Sequence, residues 1–167
     1  MIFKYKKLHP DAVAPFRKHY NDAGYDLTAV LIEKKDKYVQ YNTGIAVEIP
    51  DGYVGLIFPR SSVTKEDLML KNSVGVIDSG YQGEIRFRFI KAVNDAFKAD
   101  VRTSSRSGGS VERFINMYSP DRTLDLYKVG DRIGQIMFIK LPEITLELVD
   151  EFSSSLRGTE GFGSTGK

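Results

Sequence analysis

Residues 72–89 read Asn72-Ser-Val-Gly-Val-Ile-Asp-Ser-Gly-Tyr-Gln-Gly-Glu-Ile-Arg-Phe-Arg-Phe89. Val74, Val76 and Ile77 have the apolar, β-branched character of a buried strand. Ser79-Gly80 has that of a hairpin turn with a residue able to take positive φ. Beyond the turn, Ile85, Phe87 and Phe89 alternate with Arg86 and Arg88, the period of a half-buried strand. The stretch predicts strand, turn and strand, with Asp78 at the mouth of the turn and Tyr81 just past it. A carboxylate held by a rigid turn is suited to orient and deprotonate a water. Aspartate is also a residue that turns favour for its own backbone hydrogen bonds.

The same period recurs on either side. Ile45, Val47 and Ile49 alternate, as do Leu124 and Leu126 about Asp125, and Ile144, Leu146 and Leu148 about Thr145 and Glu147. Pro50-Asp51-Gly52, Gly80 and Val129-Gly130-Asp131 punctuate these runs, so the expected fold is all-β: a sandwich, jelly roll or barrel. One or two helical turns are expected within 62–70, with Thr64 as cap and Asp67 three residues later. There is no internal repeat and no sign of a second large domain. A β domain over 1–152 and a Gly/Ser/Thr-rich tail over 153–167 are expected. Residues 94–121 form a long connection whose middle, Arg102–Ser110, is polar; its charges balance, which disfavours a nucleic-acid arm. We read it as a surface insertion, with contact between copies of the chain or docking of a protein partner as the other roles.

Composition narrows the chemistry. The 167 residues contain no cysteine and only two histidines, His9 and His19. A disulfide framework, a thiolate nucleophile and a histidine-rich metal centre are thereby disfavoured. Catalysis is left to carboxylates, hydroxyls, backbone amides and arginines. The formal charge of +2 is small for general nucleic-acid binding. No apolar run reaches membrane-spanning length and the first residues lack a secretory core, so an intracellular, cytoplasmic protein is expected.

Several short stretches suit phosphate. Gly161-Phe-Gly-Ser-Thr-Gly-Lys167 fits G-x-x-x-x-G-K, but no Ser or Thr follows to open a helix, so a P-loop is rejected. The free N–H groups, the hydroxyls and the cations Arg157 and Lys167 still suit a polyphosphate, and Phe162 needs something to cover. The tail reads as a lid that orders over a nucleotide. Arg60-Ser61-Ser62 emerges at the end of the apolar run Tyr53–Phe58, a good place to hold phosphate oxygens. Gln135 offers an amide donor and Asp26 a second carboxylate. Each alone is as well explained by an ordinary turn or loop; together in one small β protein they are not.

Five stretches, Ala23–Ala29, Pro59–Ser62, Asn72–Glu84, Gly130–Gln135 and Arg157–Gly166, resemble in identity and order the five motifs of trimeric deoxyuridine triphosphatases (dUTPases). The resemblance covers the chain except 94–121. It implies a distorted jelly-roll subunit in a homotrimer whose active sites are shared between chains. The implied reaction is hydrolysis of dUTP to dUMP and pyrophosphate, with Mg2+ held mainly by the phosphates. Carried over, Asp78 is the base for the attacking water. Tyr81 packs on the deoxyribose and excludes a 2′-hydroxyl. Asn72 with the backbone near Gly75, Val76 and Ile77 reads uracil, which Phe162 covers. Arg60, Ser61, Ser62, Gln135, Arg157, Gly163, Ser164 and Thr165 hold phosphates, and Asp26 touches the metal through water.

Two departures stand out. Gly80 lies where many members carry a second acid, and Gly134 replaces a common alanine. The related dCTP deaminases share the fold and a similar Arg-Ser-Ser and Ile-Asp-x-Gly-aromatic pattern. Gly80 leans toward them, whereas Tyr81 and the Phe162-centred tail favour dUTPase.

Overall fold

The computed structural model describes residues 2–65, 68–91, 102–104, 110–112, 127–156 and 158–159. In chain order the strands are β1 (Lys4–Lys7), β2 (Tyr25–Thr28), β3 (Leu31–Lys35), β4 (Tyr38–Asn42), β5 (Ile45–Glu48), β6 (Tyr53–Pro59), β7 (Leu68–Leu70), β8 (Gly75–Ile77), β9 (Arg86–Lys91), β10 (Arg102–Ser104), β11 (Ser110–Glu112) and β12 (Arg132–Lys140). They form two four-stranded antiparallel sheets, ordered β2-β12-β6-β8 and β3-β4-β9-β7, and two-stranded pairs β1-β5 and β10-β11. The alternation in the sequence becomes a jelly-roll-like sandwich. Leu27, Ile57, Ile133 and Ile136 from one large sheet meet Tyr41, Leu70, Phe87 and Phe89 from the other in a single core. Phe87 and Phe89 are fully buried, each contributing about 2–3 kcal/mol through apolar burial.

Gly134 has a packing cause. A Cβ there would strike the ring of Phe87 across the sandwich, so the glycine is the complement of a large aromatic on the facing strand. Turns appear where the sequence marks them: Gly52 has φ 77° and Gly130 φ 94°, with Tyr53 N donating to Pro50 O at 3.2 Å and Asp131 N to Lys128 O at 3.0 Å.

Four expectations are corrected. The helical signal within 62–70 yields a 3-10 turn over Ser61–Lys65, with Thr64 inside it and donating to Ser61 O at 2.9 Å, not capping it. Residues 68–70 are strand β7: Leu68 and Leu70 are buried and Met69 is exposed, so period two wins where the chain pairs with β9. Asp67 lies outside the described residues.

The turn at 78–81 is present, with Tyr81 N donating to Asp78 O at 3.0 Å, but it does not close a hairpin. β8 pairs with β6, and β9 pairs with β4 and β7. The chain crosses from one sheet to the other between Asp78 and Ile85. Positive φ falls on Ser73 (58°), not on Gly80.

Val74 and Val76 are 37% and 62% exposed, against the expectation of burial. β8 is an edge strand, and Gly75 is the residue that abuts the buried Ile57 side chain. Finally, residues 141–149 form no strand, and Ile144, Leu146 and Leu148 are 72%, 94% and 98% exposed. Leu124–Leu126 lie outside the described residues.

Candidate active site

The turn and crossover after β8 build a cleft of about 390 Å³ whose walls include Asn72, Gly75, Val76, Ile77, Asp78 and Tyr81. These are the expected base, sugar and uracil residues, gathered in one place. Ser73 N donates to Leu70 O at 2.9 Å, and Val74 N donates to Asn72 O, so a tight kink sets Asn72 at one wall. A Cβ at Gly75 would lie 3.2 Å from Asn72 Nδ2 and closer still to the Ile57 side chain, so only glycine leaves that wall open. β8 ends its sheet. Its outer edge has no ladder partner among the described strands, and the same three residues, Gly75, Val76 and Ile77, line the cleft, which is where an edge strand can offer backbone donors and acceptors to a guest.

The hydroxyl end of the Tyr81 ring packs against Gly83, where a Cβ would strike it, and the hydroxyl donates to Glu84 O at 3.0 Å. Four further charged residues line the cleft that the sequence reading gave no role in a site: Lys71, Glu84, Arg86 and Arg88. Arg86 Nε donates to Glu84 Oε2 at 2.7 Å, and this hydrogen bond holds the guanidinium pKa above its ordinary value. Arg88 Nε donates to Gln40 Oε1 at 3.0 Å. Arg88 and Lys71 lie over the Tyr38 ring, 5.0 and 4.9 Å from its centroid, in cation–π contact. The alternation Arg86, Arg88 was the available signal; it marks an outward face, and the crossover turns part of that face into a cleft wall.

The phosphate candidates form a second group. Asp26, on β2, is clamped by two guanidinium groups: Arg60 Nε donates to Oδ1 and Arg132 Nη1 to Oδ2, each at 3.0 Å. Its side chain is only 18% exposed. The β2 and β12 backbones pair Gln135 with Asp26, and Gln135 Nε2 donates to Pro59 O at 3.4 Å. A Cβ at Gly24 would overlap the Gln135 amide, so that glycine makes room for it. Ser61 opens the 3-10 turn, and Ser62 Oγ lies 3.4 Å from Tyr127 OH. Arg132 was quoted within a motif but given no role; nothing local marks a partner 106 positions away. No group of three or more His, Cys, Asp or Glu able to hold a metal occurs among the described residues. A lone carboxylate between two arginines suits an outer contact to a cation rather than a cage.

The two groups do not meet within one chain. β6 pairs with β8 so that Gly55 faces Ile77 and Ile57 faces Gly75. Asp78 therefore falls beside Val54, while Arg60 lies just past the other end of β6. Six residues of strand separate them, about 20 Å. The fifth group, Arg157, Phe162, Gly163, Ser164 and Thr165, lies outside the described residues.

Comparison with known proteins gives a consistent result. The dUTPase family model matches residues 11–104. A deoxyuridine 5'-triphosphate nucleotidohydrolase of Picosynechococcus is 32% identical over 169 residues, covering 99% of each chain. One from Corynebacterium diphtheriae is 35% identical over 165 residues, covering 96% of this chain and 90% of its own. Among solved structures, a mutant dUTPase of Staphylococcus bacteriophage 80alpha with dUpNHpp superposes with a TM-score of 0.69, at 30% identity and 99% coverage of both chains.

Proposed function

The chain belongs to the dUTPase family and is a dUTP diphosphatase, and we propose that the cleft beside β8 takes the deoxyuridine while the clamp around Asp26 takes the phosphates. The observation that carries this assignment is the edge strand: β8 has no ladder partner on its outer side among the described strands, and it lines a cleft together with Asp78 and Tyr81. Uracil differs from cytosine in its donor and acceptor pattern, so a backbone reader leaves mismatched groups unpaired when cytosine enters. Tyr81, tethered over Gly83, closes the side of the cleft where a 2′-hydroxyl would lie.

Asp78 orients the attacking water and takes its proton as the new oxygen–phosphorus bond forms at the α-phosphorus. The bond to the bridging oxygen breaks, and pyrophosphate leaves dUMP behind. Charge on the leaving group is met by Arg60, Ser61, Ser62 and Gln135, and by Arg157, Gly163, Ser164 and Thr165 of the tail, with Phe162 over the base. Mg2+ would ride on the substrate phosphates with Asp26 as its water-mediated contact, neutralising the triphosphate. No covalent intermediate is required, in keeping with a chain that has no cysteine.

Because Asp78 and Arg60 lie about 20 Å apart along β6, one chain does not complete a site. We assign the working form to a homotrimer in which one chain supplies the cleft and another the Asp26 clamp. The exposed alternation Ile144, Leu146, Leu148 supplies an apolar edge for a second copy to cover. We place the enzyme in the cytoplasm with the nucleotide pool it acts on, where it keeps uracil out of DNA and supplies dUMP for dTMP synthesis.

The test is pyrophosphate release from dUTP, dCTP, dTTP and UTP, with and without Mg2+, for wild type and Asp78→Asn. The expected result is selective cleavage of dUTP and a fall of several orders of magnitude in the variant, which still binds a non-hydrolysable analogue. A variant that keeps turnover would remove Asp78 from the chemistry. Ammonia release from dCTP would give the cleft to deamination.

A further inference from the structure

We infer that Glu84 is a positioning residue for the sugar gate: it anchors the end of the crossover so that its own carbonyl holds the Tyr81 hydroxyl, and it thereby sets discrimination against ribonucleotides. The inference rests on the reading of Tyr81 as that gate. Its basis is a chain of contacts that no local motif encodes. The Glu84 side chain is 13% exposed and its carboxylate is shared among three donors: Gly44 N at 2.8 Å, Arg86 Nε at 2.7 Å and, more loosely, Asn42 Nδ2 at 3.4 Å.

The anchor point itself is rigid. Gly44 has φ 65°, and a Cβ there would lie 2.8 Å from His9 Cβ and 2.9 Å from Ala12 Cβ. Next to it, Thr43 Oγ1 donates to Ile85 O at 2.7 Å, and Ile85 N donates to Ile45 O at 2.8 Å. The crossover thus lands on the β4–β5 turn through Glu84 and Ile85 together. From that landing the Glu84 carbonyl reaches back 3.0 Å to Tyr81 OH, and Gly83 leaves space for the ring between them.

The carboxylate does a second thing. Arg86 lines the cleft, and Glu84 is the acid that engages it. Without Glu84, a cation would be released beside the bound nucleotide and the Gly44 N–H would lose its acceptor. Both effects loosen the wall on which Tyr81 leans.

The experiment compares kcat/KM for dUTP and UTP in wild type, Tyr81→Ala, Tyr81→Phe, Glu84→Ala, Glu84→Gln and the double variant Glu84→Ala/Arg86→Ala. The dUTP-to-UTP ratio is the readout, because a general loss of folded protein lowers both rates and leaves it unchanged. The ratio is expected to fall about tenfold in Glu84→Ala, the scale of one or two lost hydrogen bonds. The same fall is expected in the double variant, which separates lost anchoring from the freed cation, and in Tyr81→Phe, which cuts the tether from the other side. Glu84→Gln keeps an oxygen for Gly44 N and is expected to recover most of the ratio. A wild-type ratio in Glu84→Ala overturns the inference. If that variant fails to fold, a wild-type ratio in Tyr81→Phe overturns it instead. A wild-type ratio in Tyr81→Ala brings down the gate reading itself, a separate outcome.

Discussion

Ser73 holds φ 58°, a left-handed conformation that costs a non-glycine residue about 1–2 kcal/mol. It stands between Asn72, which lines the cleft, and Val74, and strain of this kind persists only where its surroundings impose it. Here the imposing contacts are Ser73 N to Leu70 O and Val74 N to Asn72 O. Glycine at this position removes the steric cost but widens the conformations open to the unfolded chain and to the kink. Ser73→Gly is therefore expected to change stability by no more than about +1 kcal/mol, measured by urea denaturation. KM for dUTP should rise several-fold because Asn72 is held less firmly. An unchanged KM would show that the kink is a folding feature with no part in reading the base.

At the scale of elements, what the chain keeps to itself and what it leaves open are both informative. Strands β10 and β11 pair only with each other among the described strands, which supports reading the 94–121 connection as a surface insertion. Deleting 98–112 removes the β10–β11 pair whole and should leave dUTP turnover within a factor of about two, since neither four-stranded sheet loses a member; loss of folding or of turnover would place the insertion in the trimer contact or the site. The arm over 141–149 makes the opposite case, because its apolar alternation is exposed and has no strand partner among the described residues. Leu146→Asp with Leu148→Asp should leave the β-sandwich folded by circular dichroism but reduce the proposed trimer to monomers in sedimentation, with activity lost alongside. A stable trimer in that variant would mean the arm is not an interface. These elements also show what a single sequence can tell. The Asp78 turn and the Phe87–Phe89 strand were legible because a turn residue and a period of two are local signals. The hairpin was misjudged because adjacency in sequence stood in for pairing, whereas β8 returns to β6 and the chain then changes sheets. Burial of Val76 was overestimated because strand propensity cannot tell an edge facing a cleft from a core position. The Arg132 hold on Asp26 and the Glu84 hold on Gly44 were invisible because their partners are set by tertiary register.

For the whole molecule, the decisive quantity is the separation of the two half-sites. If one chain supplied both, Asp78 and Arg60 would need to converge on one phosphate chain, yet the register of β6 and β8 holds them about six strand residues apart. Shared sites make a prediction that no single-chain site can satisfy. Asp78→Asn removes the base from a subunit's cleft but leaves its clamp intact, and Arg60→Ala weakens the clamp but leaves the cleft intact; each homotrimer is expected to be inactive. In trimers assembled from an equal mixture, a site is whole when an Arg60→Ala chain supplies the cleft and an Asp78→Asn chain supplies the clamp. With random assembly that holds for about a quarter of sites. Mixing the two unfolded variants and refolding them together should therefore restore about a quarter of wild-type pyrophosphate release. Mixing them after folding should restore little until the trimers exchange subunits. If the refolded mixture stays as inactive as its parents, the half-sites belong to one chain, and the crossover after β8 must move far enough on binding to bring Asp78 to Arg60.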